Sequence, residues 1–381
     1  ATPMAGRSAW EAGAGYVNAH AAVNAVVNGT EVYGDTVKLN RDFNAFANVT
    51  EGDSFTMQTT YIPVGESPTE TFDVSADVSM VLASASIENG TAFVLEDPAG
   101  NRYGSGIGLP VLGSAVGAAA PGMAGTWKLY SRGIGSVSGV SLDPLSVTNG
   151  VGVPGTVDVN IRLLETAGYT GIEDSEGHGA QSFIEYVVSR HLMDATANGF
   201  KPDSFITRAE LADTLTLATS LRQTLSGNAS DFADAGSYGA SINSVSAEGT
   251  LLSDREQAMK PVMLNDSATV FGASDLVSRE ELAYSLVQGL GLQAEAEAFD
   301  PDSPVVAIVF GEAVEIDDAG EISPSMRGYV QQALALGLMQ PELTVTQGRF
   351  DLEPVISASF VPANAVTRAD TAFSITLRDQ L

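Results

Sequence analysis

The chain contains no cysteine. That removes disulfides, thiolate metal sites and cysteine nucleophiles together. Basic residues are scarce, with 18 Lys and Arg against 47 Asp and Glu and a formal charge of −29. Such a surface repels nucleic acid and anionic lipid, so neither is expected as a partner. An anionic glycan can bind only through local cations. The three histidines, His20, His178 and His191, lie on separate segments and do not make a metal site. No apolar run approaches the length of a membrane span, and the longest, Val305 to Phe310, is the size of a strand. No membrane insertion is expected. The start, Ala1-Thr2-Pro3-Met4, lacks the basic and apolar regions of a signal peptide. We therefore expect a fragment whose export signal lay upstream.

What remains is ordinary globular material. The chain has 381 residues, 44% of them hydrophobic, enough for two or three domains with full cores. From about residue 30 to 165, Asn-Gly turn signals fall at Asn28, Asn89 and Asn149. Phe72, Val74, Ala76, Val78 and Met80 alternate with mostly polar neighbours, as do Val157, Val159, Ile161 and Leu163. Alternation with period two means strands with one buried face, and several such runs predict a β-sandwich. The Gly- and Ala-rich stretch Gly104 to Gly125 reads as a long loop.

From about residue 172 the texture is helical and a pattern repeats three times. The first copy runs from Ile184-Glu-Tyr-Val-Val through Phe200-Lys-Pro to Ile206-Thr-Arg-Ala-Glu. The second runs from Ile242 through Phe271-Gly-Ala to Val277-Ser-Arg-Glu-Glu. The third runs from Val330 through Phe360-Val-Pro to Val366-Thr-Arg-Ala-Asp. In each, the Phe stands eight residues before the Arg: Phe200 and Arg208, Phe271 and Arg279, Phe360 and Arg368. Insertions interrupt the second copy at about 255–270 and the third at about 340–358.

Within the motif, Thr207 with Glu210, Ser278 with Glu281 and, more weakly, Thr367 with Asp370 have capping-box spacing. Helix initiation alone explains the hydroxyls and acids. It does not explain Arg208, Arg279 and Arg368, because a cation in a helix's first turn opposes the macrodipole. Two readings stay open. Each Arg pairs with a neighbouring acid, or each meets an anion near the helix N-terminus, where free N–H groups also point. Asp300-Pro-Asp-Ser and Glu96-Asp-Pro-Ala-Gly-Asn are the weak candidates for calcium; otherwise no cofactor is expected.

Three resemblances follow from these residues. The triple pattern over roughly 172–381 resembles the S-layer homology domain in a set of three, here 172–228, 229–295 and 296–381. One departure is Gly179 after His178, where the family usually has Trp. Phe93-Val-Leu-Glu-Asp-Pro-Ala-Gly-Asn and Gly125-Thr-Trp-Lys-Leu-Tyr are similar to jelly-roll domains of secreted proteases, covering 30–168. Ala1-Thr-Pro-Met-Ala-Gly with Trp10-Glu-Ala-Gly-Ala-Gly-Tyr-Val-Asn-Ala resembles the end of a subtilisin-like catalytic domain, covering 1–29. That family's Gly-Thr-Ser nucleophile motif is absent from this chain, so no catalysis is expected of it.

The resemblances imply a mixed, multidomain chain: a jelly-roll-like β-sandwich, then an α-helical triple bundle with pseudo-threefold arrangement. They imply a secreted protein of the bacterial cell surface that binds secondary cell-wall polysaccharide, often through a pyruvylated sugar. The binding residues would be Arg208, Arg279 and Arg368 with Thr207, Ser278, Thr367 and Glu210. The parent would be a wall-attached serine endopeptidase. The alternative is a structural protein whose copies assemble into a surface layer or filament. The first copy stays nearest the family pattern, which makes Arg208 the expected principal site.

Overall fold

The computed structural model describes residues 41–381 except 65–66, 88–90, 107, 134–151, 224–229, 231, 257, 310–311 and 348–354. It also describes positions 19, 20, 23 and 27. The reading of 1–29 as the tail of a catalytic domain, and the turns at Asn28, Asn89 and Asn149, lie outside the described residues.

Two antiparallel four-stranded sheets form the first region. One has the order β1 (Phe46–Tyr61), β8 (Gly155–Thr170), β3 (Val78–Ser86), β6 (Ala115–Pro121). The other has the order β2 (Glu70–Val74), β7 (Gly125–Gly133), β4 (Thr91–Glu96), β5 (Arg102–Gly104). Between them lie Phe72, Val81, Phe93, Leu95, Leu129, Val159 and Ile161. Trp127 is fully buried, donates its indole N–H to the Met123 carbonyl at 2.8 Å, and stacks near Phe72 and Tyr103. The alternating positions of β8 point inward as their period requires.

Two expectations need correction. The run from Phe72 to Met80 is not one strand. The chain turns at Ser75, where Val78 N–H reaches the Ser75 carbonyl, and β2 and β3 enter opposite sheets. The same alternation on both sides of the turn hides the break. The Gly104 to Gly125 stretch is not one long loop, because Ala115–Pro121 pairs with β3 from Met80–Pro121 to Ser86–Ala115. Its small residues are there for close packing. A Cβ at Gly117 would stand 2.8 Å from Gln380, and one at Gly122 only 2.1 Å from the Val78 carbonyl.

The second region holds α1 (Gln181–Ser189), α2 (Arg208–Ala218), α3 (Gly239–Ser246), α4 (Arg279–Gly289), α5 (Gln293–Glu297), α6 (Arg327–Ala335) and α7 (Arg368–Arg378). Among the described residues, the insertion of the second copy has no helix or strand. That of the third forms a hairpin, β11 (Glu342–Thr346) with β12 (Val355–Ser359). A second hairpin, β9 (Val306–Val309) with β10 (Glu312–Glu315), precedes α6. Helix pairing runs between copies: α2 packs on α3, α4 on α6, and α7 on α1. Each motif helix thus leans on the first helix of the next copy, and the third closes on the first.

The C-terminal ends of α2, α4 and α7 meet at Arg378, which donates to the Ala218 carbonyl at 2.6 Å and the Gly289 carbonyl at 3.2 Å. Burial pulls its pKa down, yet its charge answers the negative ends of converging helices.

The two regions share one core. Ala45, Ala47, Met80, Leu82, Ala119 and Leu164 join Phe183, Ile184 and Val187 of α1 in the same apolar cluster. Thr166 donates to Glu185 at 2.6 Å across this seam.

Candidate functional site

The three motif loops are tied into a closed ring by their own backbones. Ile206 N–H donates to Val366 O at 3.0 Å, Val366 N–H to Val277 O at 3.0 Å, and Val277 N–H to Ile206 O at 3.1 Å. All three side chains are buried. A single extended residue satisfies a neighbour on each side, so no copy completes the ring without the other two.

Each ring residue leads into a helix, and all three capping boxes form. Thr207 and Ser278 accept from Glu210 and Glu281 N–H at 3.3 Å, and Thr367 from Asp370 N–H at 3.1 Å. The N–H groups before these are bonded, contrary to the anion-binding reading, in which they are free. Arg208 N–H donates to Asp275 O, Arg279 N–H to Asn364 O and Arg368 N–H to Ser204 O, each at 2.9 Å. Ala209, Glu280 and Ala369 N–H likewise reach Ala273, Pro362 and Pro202 carbonyls. The next copy's loop consumes the donors that an anion would need.

The guanidinium groups follow the same rotation. Arg208 lies 4.9 Å over the Phe271 ring, Arg279 5.0 Å over Phe360 and Arg368 4.9 Å over Phe200. Each donates Nε–H to the carbonyl of the Phe it covers, at 3.2, 2.6 and 2.6 Å. This explains the eight-residue spacing: the Phe presents ring and carbonyl to the preceding copy's Arg. Arg208 also bonds Glu281 and the Leu264 carbonyl. Arg368 bonds Glu210 at 3.2 Å and the Asp194 carbonyl at 2.7 Å. Both arginines are buried.

Arg279 differs. It donates Nη2–H to the Gln340 carbonyl at 2.6 Å, but among the described residues no carboxylate pairs with it and no partner meets its Nη1. The acid at the equivalent place is Asp370, one methylene shorter than Glu210 and Glu281. Asp370 keeps its bonds to Thr367, at 2.9 Å to N–H and 2.8 Å to the hydroxyl. Arg279 is only half-buried. Burial lowers its pKa, against the opposing charges of Asp370, Glu342 and Asp318.

One feature of the site escaped the sequence reading. Asp174, Asp234 and Asp318 each clamp the backbone at the Phe. Asp174 accepts from Phe200 and Lys201 N–H at 2.9 and 2.7 Å. Asp234 accepts from Phe271, Gly272 and Ala273 at 3.0, 2.8 and 2.8 Å. Asp318 accepts from Phe360 and Val361 at 2.7 and 2.6 Å. The amides of Phe271 and Ala273 hold the Asp234 pKa below the ordinary carboxylate value. The clamped turn places the residue after the Phe in the left-handed region: Lys201 at φ 58°, Gly272 at φ 80° and Val361 at φ 49°. The signal was an Asp near the start of each copy. The insertions vary its distance to the Phe, which hid it.

A polar cavity lies beside the Arg368 junction, lined by Arg41, Asp194, Glu210, Asp213, Tyr238 and Arg368. Arg41 bridges Asp213 at 2.8 Å and Asp194 at 3.1 Å. Burial works against its charge, but the bonds and charges of Asp213 and then Asp194 outweigh it, and its pKa stands raised.

The remaining candidates are engaged locally. Asp97 accepts from Ala99 and Asn101 N–H at 2.9 Å and from the Asn101 amide at 2.8 Å, within its own turn. Asp300 accepts from Asp302 N–H at 3.0 Å. No group of three metal-binding side chains occurs among the described residues. His178 faces Asp203 at 3.3 Å, and His191 stacks on Phe43 at 4.2 Å. No helix among the described residues is long and apolar enough to cross a membrane.

Comparison with known families matches residues 171–212 to the S-layer homology domain. The match covers the first copy from the Asp174 clamp through the Thr207–Glu210 capping box. It identifies a cell-surface module of a kind that typically binds cell-wall polymers. No curated protein matches the chain.

Proposed function

We propose that residues 172–381 form three S-layer homology domains that anchor the chain to cell-wall polysaccharide, with Arg279 as the principal contact. The single observation behind this reading is the incomplete pairing of Arg279. Arg208 and Arg368 spend their donors on carbonyls and a glutamate of the next copy. Arg279 keeps part of its guanidinium exposed, beside a carboxylate too short to reach it. A glycan acid such as a pyruvyl carboxylate would supply that missing partner, and a guanidinium grips a carboxylate through two bonds at once. The groove between second and third copies is therefore the proposed site, with Ser278 and Thr367 at the helix starts beside it. Arg208, Arg368, Thr207 and Glu210 act in holding the ring.

The test is retention on purified bacterial cell walls. Arg279→Ala should weaken binding by about 1.5–3 kcal/mol, the range for a hydrogen bond to a charged group. Equal retention of Arg279→Ala and the unaltered chain would refute the site. The parent protein in this proposal is a wall-attached subtilisin-like protease, and this chain supplies attachment and no catalysis. The support is the opening phrase and the sandwich that follows it. Casein hydrolysis blocked by a serine-protease inhibitor would overturn the non-catalytic part. The alternative, assembly of copies into a surface array, is favoured by the exposed edge strand β11, whose Leu343 and Val345 are open to solvent. Sedimentation showing concentration-dependent growth would select it.

A further inference from the structure

The segment leading into β1 does more than connect. Asn44 N–H donates to Asp194 at 3.0 Å, and its side-chain amide reaches Asp194 at 3.3 Å and the Ala195 carbonyl at 3.0 Å. Ala45 and Ala47 are buried in the shared core. These contacts fix the joint between sandwich and helices. Arg41 and Phe43 are not needed for that. Phe43 stacks on His191, and Arg41 lies 5.1 Å over Phe43. From there the guanidinium crosses the cavity and takes Asp194 and Asp213 together. Asp194 has a side chain only 4% exposed and Asp213 one of 14%; Asn44 and Ser241 also bond them, and Arg41 holds both together at the cavity. The same cavity is walled by Arg368 and Glu210, the junction from third copy to first. Beside Arg279, between second and third copies, no arginine bridges two carboxylates in this way among the described residues.

We infer that Arg41 is a built-in plug that occupies the groove between the third and first copies and closes it to polymer. The inference rests on the anchoring reading for its consequence, but not for its geometry. An arginine is a suitable plug because its planar fork spans two carboxylates at once. A charge pair this far buried is screened little by salt, so opening it takes a cation that competes for the carboxylates directly. A cationic group on a wall polymer, such as a free amino sugar, would compete for Asp194 and Asp213 in the same way.

Two measurements on the full chain test this. The first needs no polymer: carbodiimide labelling of Asp213, read by mass spectrometry, in the unaltered chain, Arg41→Ala and Arg41→Lys. We expect labelling to rise several-fold in Arg41→Ala and less in Arg41→Lys. Unchanged labelling in Arg41→Ala overturns the plug, whatever the walls do. The second measures cell-wall retention of Arg279→Ala and of Arg279→Ala with Arg41→Ala. If the single variant loses retention and the double variant regains part of it, the plug closes a competent groove. If the double variant stays unbound, the closure to polymer is overturned. If Arg279→Ala alone still binds fully, the Arg279 reading has failed, and a further rise with Arg41→Ala still supports the plug, while no rise overturns it.

Discussion

The junction between the second and third copies differs from the other two by a methylene. At the first-to-second and third-to-first junctions, Glu281 and Glu210 keep one carboxylate oxygen in their own capping boxes and reach the preceding copy's arginine with the other. At the second-to-third, Asp370 completes its capping box and stops there. One side-chain length separates a structural ion pair from an open cation. A capping residue can thus be conserved in its local job and altered in its long-range one.

The largest effect should come from breaking a closed junction. Arg368→Ala removes the donor from the buried Phe200 and Asp194 carbonyls and from the partly buried Glu210 carboxylate, and should cost about 3–5 kcal/mol. Arg279→Ala should cost about 1 kcal/mol, since its partners are neutral carbonyls, that of Gln340 exposed, and no carboxylate is left unpaired. Urea denaturation of both variants checks the ordering, and equal losses would erase the distinction between junctions.

Next comes closing the open one. Asp370→Glu should let the carboxylate reach Arg279, raise stability by about 0.5–1 kcal/mol, and reduce wall retention. Glu281→Asp should do the reverse at Arg208, lowering stability while offering a second open guanidinium. Retention unaffected by either exchange would separate side-chain length from binding.

A smaller effect concerns the clamped turn. Val361 is a β-branched residue at φ 49°, where its counterpart Gly272 sits without strain. A left-handed residue costs about 1–2 kcal/mol, and the entropy of glycine returns about 0.5–1. Val361→Gly should therefore raise the melting point slightly, by a net gain of about 0.5–1 kcal/mol.

The smallest is a pH effect at Asp234. Its folded pKa is depressed, chiefly by Phe271 and Ala273 N–H. Its contribution is complete above the unfolded pKa of about 3.9. It is lost as pH falls through the lower folded value. Stability profiles of Asp234→Asn and the unaltered chain should converge on acidification below that point. Parallel profiles throughout would show that the clamp carries no proton linkage.

Much of this was legible beforehand because it is local. Capping boxes need three consecutive intervals and no tertiary partner, so Thr207, Ser278 and Thr367 could be read directly. The strand at Val157–Leu163 follows from period two, and that at Phe93–Glu96 from the resemblance of its phrase to jelly-roll domains. The break at Ser75 was not legible, since alternation continues across it. The strand at Ala115–Pro121 was not either, because its small residues are chosen for close approach to Gln380 and Val78, which only the packed fold brings near. The Asp clamp was hidden by insertions that change its spacing to the Phe.

The sequence by itself determined the repeat, the helix starts and the presence of an arginine that helix formation does not require. Which arginine is open was decided only by the tertiary structure. Each Arg meets a Phe of the next copy, and Arg208 and Arg368 also meet its acid, so the fate of each depends on a neighbour 63 to 168 residues away. The sequence placed a carboxylate near every motif. The ring determined which of them could reach across it, and for Asp370 the span is longer than its side chain.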